Sequence, residues 1–179
     1  MPNKNKIVEL LDELSPEAQL IGAVNTVLND NGKLIGYNTD GYGFMQSVRD
    51  AGHDITGKNI TVMGVGGASM AICAQSALDG AASVHIFARR TSRYWNRTQK
   101  FAENLSAKTG CQVCLFDNDD HTALRDSIAQ SYLLINATSV GMVPDIDDTI
   151  IKDTSLFHPE LVVADVVYEP QETRTAQRG

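Results

Sequence analysis

The chain has 179 residues, 42% of them hydrophobic, which suits one ordinary domain or one domain joined to a fragment of another. Its formal net charge of −7 argues against nucleic acid or an anionic membrane as the main partner and points to a small ligand. No apolar run approaches the roughly 20 residues of a membrane span, the first residues lack a signal peptide's apolar stretch, and three cysteines fit a reducing compartment, so the expected location is cytoplasmic.

Ile7, Leu10, Leu11 and Leu14 recur at helical spacing, and Ser15-Pro16-Glu17 starts a second short helix with a capping serine and a proline in its first position. Val24 to Leu28 and Lys33 to Gly36 read as strands, with Asn29-Asp30-Asn31-Gly32 as the hairpin turn. Asp40 reads as the cap of a helix that runs through Val48 and stops near Gly52. This opening segment has too little apolar surface to stand alone and looks like the tail of another domain.

From Lys58 the pattern alternates: strand 60–63, helix 69–79, strand 84–88, helix about 92–108, strand 112–116, helix about 120–130, then strands 132–137 and 161–167. Strands joined by helical crossovers form a parallel sheet covered on both faces, so the expected fold is α/β, a doubly wound parallel sheet. Between the first strand and its helix lies Gly64-Val65-Gly66-Gly67-Ala68-Ser69. Gly64 can take a tight turn, Gly66 lets the backbone approach a pyrophosphate, and the N–H groups at the helix start face the anion. The third glycine of the usual fingerprint is replaced by Ser69.

The second strand ends in Ala88-Arg89-Arg90-Thr91-Ser92-Arg93, with arginines and no acid. An acid here would bind a ribose 2′-hydroxyl, whereas arginines accommodate a 2′-phosphate, so NADP is expected with NAD as the lesser option. Arg93 and Arg97 read as surface residues. Cys111 and Cys114 form a C-x-x-C, but they sit in a strand and no second ligand pair follows, so no metal is expected. Asp117-Asn118-Asp119-Asp120 lacks the glycine and terminal glutamate of a calcium loop and reads as a helix start.

Met1-Pro2-Asn3-Lys4, Gly22-Ala23-Val24-Asn25-Thr26, Gly36-Tyr37-Asn38-Thr39-Asp40-Gly41, Gly64-Val65-Gly66-Gly67-Ala68, Asn136-Ala137-Thr138-Ser139-Val140-Gly141-Met142 and Asp165-Val166-Val167-Tyr168-Glu169-Pro170 follow in that order. Together they resemble the shikimate and quinate/shikimate dehydrogenase family. The resemblance implies a Rossmann-type NAD(P)-binding domain at 46–179, preceded at 1–45 by the C-terminal remnant of a substrate-binding (catalytic) α/β domain. It makes Lys4 and Asp40 the catalytic pair, Asn25 a ligand of the substrate hydroxyls, and turns the Tyr168 hydroxyl toward the substrate. Gly64, Gly66, Gly67 and Ala68 would cradle the dinucleotide. Arg89, Arg90 and Thr91 match an Asn-Arg-Thr signature of NADP-using members, with Ala88 in place of the asparagine and an extra arginine, and Thr138, Ser139 and Val140 would border the nicotinamide.

The implied reaction is NADPH-dependent reduction of 3-dehydroshikimate to shikimate, with the small substrate and a second copy of the chain as partners. The chemistry suits the residues: hydride addition leaves negative charge on the ketone oxygen, which a cation and a proton donor beside it stabilise; lysine can be both, a carboxylate can orient it and bond the substrate hydroxyls, and either member can be the formal acid. Two alternatives stand: a quinate/shikimate dehydrogenase using NAD or NADP, and a truncated nucleotide-binding module without catalysis. The family pattern also has paired serines before the lysine motif and a substrate-touching glutamine after Pro170. The expectation is therefore a piece of a longer protein or a truncated homologue, with Lys4 on a frayed terminus.

Overall fold

Ile60, Val62, Val84, Ile86, Leu133 and Ile135 are fully buried, and strand alternation sends Met63, Phe87 and Leu134 to the opposite face, where they are buried too. A strand apolar on both faces has to be covered on both, and that dictates the architecture. The computed structural model describes residues 3–177. Its main sheet contains β4 (Asn59–Met63), β5 (Ser83–Ala88), β6 (Gln112–Asp117), β7 (Leu133–Asn136) and β8 (Val162–Asp165), all parallel, in the order β6-β5-β4-β7-β8. Val62 stands in register with Ile86 on one side and Ile135 on the other.

The helices α3 (Gly67–Leu78) and α4 (Trp95–Thr109) cover one face, with Ile72, Cys73, Phe101 and Leu105 in its core. The helix α5 (His121–Gln130) and the 3-10 turn Thr154–Leu156 cover the other with Ile128 and Leu156. Strand order reverses between β4 and β7, so the crevice at the carboxyl ends of those strands is where an open α/β sheet takes its ligand.

The chain before this sheet forms a smaller one: β1 (Glu13–Leu14), β3 (Lys33–Tyr37) and β2 (Thr26–Asp30), in the order β1-β3-β2, with α1 (Pro16–Ile21) after β1. The hairpin turns at Asn31 and Gly32, whose φ of 51° and 98° are the paired left-handed values of a type I′ turn. Two expectations fail here. The helical spacing from Ile7 to Leu14 gives only a 3-10 turn, Ile7–Leu10, because Glu13 and Leu14 pair in parallel with Ile35 and Gly36. The helix α2 (Thr39–Asp50) is capped by Asn38, not Asp40: the Asn38 side chain accepts the Asp40 N–H at 3.2 Å. Helix α4 also starts later than expected, at Trp95.

Candidate functional site

Because Asn38 caps α2, the Asp40 carboxylate is left free in the first turn, pointing at the chain's opening segment. It accepts from Lys4 Nζ at 2.5 Å and from Asn25 Nδ2 at 2.8 Å. Asn25 Oδ1 in turn accepts the Thr39 N–H at 3.1 Å, which fixes the amide's orientation. The lysine is not frayed: its carbonyl accepts the Val24 N–H at 2.9 Å, so the segment is stitched beside β2. With side chains 28% and 38% exposed, the Lys4–Asp40 pair contributes only about 0–1 kcal/mol to stability. Its geometry therefore matters for positioning an ammonium more than for holding the fold.

Facing this triad is the turn between β4 and α3. Gly64 has φ of +111°, and a Cβ there would lie 2.7 Å from the Ala137 carbonyl oxygen, so only glycine fits. Its N–H donates to Phe87 O at 2.8 Å, tying the turn to β5. Ser69 explains the broken glycine fingerprint: its hydroxyl donates to Gly64 O at 2.6 Å and closes the turn from inside. Gly66, Gly67 and Ala68 are exposed, and a Cβ on either glycine would meet nothing within 4 Å. The first N–H groups of α3, which have no partner inside the helix, open into that space.

A cleft of about 270 Å³ lies between Lys4, Asn5 and Asp40 on one wall and Gly66, Gly67 and Arg97 on the other. A shallower recess continues past Asp40 to Ala68, Asp165 and Val166. Arg97, read from the sequence as a surface residue, thus lines the cleft, as does Tyr94. Both lie at the start of α4, where its register could not be fixed from spacing alone.

The loop after β7 is shaped by a buried network. Asn136, with no exposure, donates to Val140 O at 3.1 Å and to Asp165 Oδ2 at 2.9 Å, while Thr138 donates its hydroxyl to Asn136 Oδ1 at 2.6 Å and receives the Val140 N–H at 3.0 Å. Thr173 adds a hydrogen bond to Asp165 at 2.6 Å. The network holds Thr138, Ser139 and Val140 beside Gly64, whose missing Cβ would touch Thr138 at 3.0 Å. Asn136, Asp165 and Thr173 were not singled out as single residues, since their pairing spans three separate segments.

Arg89, Arg90 and Thr91 are exposed beyond the end of β5. The Arg90 guanidinium lies 4.6 Å from the Trp95 ring centroid, and its backbone N–H donates to Asp117 at 3.4 Å. Nearby, Asn118 keeps its side-chain oxygen buried without a partner among the described residues, an acceptor that a bound hydroxyl or amine would satisfy. Tyr168 stands apart: it is 83% exposed and lines neither recess. Cys73 and Cys111 are buried, and burial pushes their thiols up to about 12 and about 11, the inert state of core cysteines.

A parallel sheet whose order reverses beside a glycine turn and a helix N-terminus defines the Rossmann class of α/β proteins. The family model for the shikimate dehydrogenase substrate binding domain matches residues 1–27. Over 174 residues the chain is 50% identical to the NADP(+) shikimate dehydrogenase of Listeria innocua, covering 97% of this chain and 60% of that protein. It is 41% identical to the quinate/shikimate dehydrogenase of Escherichia coli, covering 100% of this chain and 62% of that one. The crystal structure of the Listeria monocytogenes shikimate 5-dehydrogenase, solved with shikimate and NAD, superposes with a TM-score of 0.96 at 48% identity, over 99% of this chain and 61% of its own. The chain is thus similar, over nearly all of its own length, to shikimate and quinate/shikimate dehydrogenases, and spans about three-fifths of the length of these relatives.

Proposed function

We propose that this chain carries the dinucleotide site and the catalytic pair of an NADP-dependent shikimate dehydrogenase, an oxidoreductase that interconverts 3-dehydroshikimate and shikimate. The observation that supports the proposal most is the placement of Lys4 and Asp40, the latter held by Asn25, across one cleft from the glycine turn. The residues fit the cofactor: Gly66 and Gly67 leave open the space that a side chain would fill, and the end of β5 offers arginines and no acid. The reduced nicotinamide, when bound, supplies the hydride.

The protein's own part follows from charge. Lys4 places an ammonium where the ketone oxygen becomes an alkoxide, stabilises it and gives it a proton. Asp40 aims the ammonium and accepts from substrate hydroxyls, with Asn25 holding Asp40 from the other side. Gly64, Gly66, Gly67 and Ala68 receive the pyrophosphate, Arg89, Arg90 and Thr91 the 2′-phosphate, and Thr138, Ser139 and Val140 border the nicotinamide; Tyr168, exposed outside both recesses, would have to turn inward to meet the substrate.

The same proposal divides the chain into a substrate-domain part at 1–45 and a dinucleotide domain at 46–179, joined through α2. It places the protein in the cytoplasm as a homodimer whose partner is a small molecule rather than nucleic acid or membrane, a reading supported by the charge of −7. Among the described residues no helix is long and apolar enough to cross a membrane. A second reading, quinate as well as shikimate with NAD admitted, is favoured by the 41% identity to a quinate/shikimate dehydrogenase.

Steady-state assay of the intact protein with shikimate and quinate, each with NADP and NAD, separates these readings. The expected result is highest kcat/KM for shikimate with NADP, and a fall in kcat of about 10²–10⁴-fold in Lys4→Ala with NADPH affinity little changed. Near-normal turnover in both Lys4→Ala and Asp40→Asn would reject the pair.

A further inference from the structure

We infer that Trp95 is the positioning residue that sets cofactor choice, by holding the Arg90 guanidinium ready for a 2′-phosphate; the inference rests on the dinucleotide site proposed above. Three arginines follow β5 closely, and they are not equivalent. Arg93 is spent locally, stacked 4.7 Å over the Tyr94 ring and donating to the Tyr94 hydroxyl at 2.6 Å. Arg89 is exposed, and among the described residues its side chain makes no hydrogen bond, ion pair or ring stack. Arg90 alone combines a fixed position with unused donors: its guanidinium lies 4.6 Å from the Trp95 centroid, yet makes no side-chain hydrogen bond among the described residues.

The ring is a rigid platform. Trp95 is the first residue of α4 and is 8% exposed, so packing fixes its plane, and the flat guanidinium covers one face of the indole. Stacking restrains an otherwise mobile side chain without consuming any N–H, which leaves the planar fork for a phosphate. The Arg90 backbone is restrained as well, through its N–H on Asp117. A ligand that carries the 2′-phosphate gains from that preparation, and one that lacks it does not, so the ring acts on the ratio of the two affinities.

The test is calorimetric titration of the intact protein with NADP and with NAD, for the parent, Trp95→Leu, Trp95→Phe, Arg90→Gln and the Arg90→Gln/Trp95→Leu double variant. We expect Trp95→Leu to weaken NADP by about 5-fold with NAD within about 2-fold of the parent, and Trp95→Phe to retain part of the preference. The double variant should lose no more preference than Arg90→Gln alone. Equal weakening of both nucleotides by Trp95→Leu, or additive losses in the double variant, overturns the inference and leaves Trp95 a core residue. Should Trp95→Leu not fold, the phenylalanine variant combined with Arg90→Gln supplies the same cycle. A parent that binds both nucleotides equally removes the Arg90–Trp95 inference while sparing the glycine-turn site; a parent that binds neither removes both.

Discussion

The two sheets are built on opposite terms. In the five-stranded sheet, β4 and β7 are buried along nearly their whole length, and what reaches the ligand edge is backbone: Gly64, the start of α3 and the Thr138 loop. In the three-stranded sheet, β2 is exposed at every position, and what reaches the cleft comes as side chain from the segments flanking it: Lys4 and Asp40, with Asn25 holding Asp40 from behind. Main-chain donors recognise a phosphate whatever residues carry them, so that half needs a rigid scaffold above all. A proton donor needs one particular side chain at one place, and a thin polar layer suffices if it rests on the scaffold.

The contrast is most open to attack through stability. Ile135→Ala, at a fully buried position of β7, should cost about 2–5 kcal/mol in urea unfolding, whereas Leu28→Ala on β2 should stay within about 0.5 kcal/mol. Comparable losses would mean that the small sheet is itself part of the core. An intermediate effect is expected at the joint between the sheets. Asn38 is 3% exposed, donates to Ala23 O at 3.1 Å and caps α2, so Asn38→Ala should lower stability by about 1–2 kcal/mol and, by loosening Asp40, reduce turnover. Unchanged turnover would detach the cap from the site.

The smallest effect concerns the scaffold alone. His85 packs edge-on against Phe116, with Nδ1 2.9 Å from the Ser127 hydroxyl, and burial holds its imidazole below the usual 6.5. A depressed folded value means that its stability contribution is complete above the unfolded pKa and is lost as pH falls through the folded one. Chemical denaturation from about pH 7.5 to about pH 5 should therefore show a shallower decline for His85→Gln than for the parent. Parallel slopes would exclude His85 as the source.

The parallel half was legible because its signals are local: β-branched runs from Ile60 and Val84, a glycine turn between strand and helix, and a boundary error of only a few residues at Trp95. The small sheet was less so. Leucines at helical spacing also suit a short strand once Gly36 offers a surface for Leu14, and no local rule announces that pairing. At Asn38-Thr39-Asp40 the sequence provides two residues able to cap, and only the fold decides that Asn38 does it and frees the carboxylate. The Asn136–Asp165–Thr173 network and the Arg90–Trp95 stack depend on segments brought together by the sheet and the start of α4, beyond what spacing encodes.

Gly41 follows Asp40 directly, and a Cβ on it would lie 2.2 Å from the Ala71 carbonyl oxygen, so α2 and α3 touch backbone to backbone. One absent methyl group thereby sets the gauge between the helix that carries the carboxylate and the helix that opens at the glycine turn. The spacing between the Asp40 carboxylate and the glycine turn is thus a main-chain dimension, independent of how the side chains around it repack.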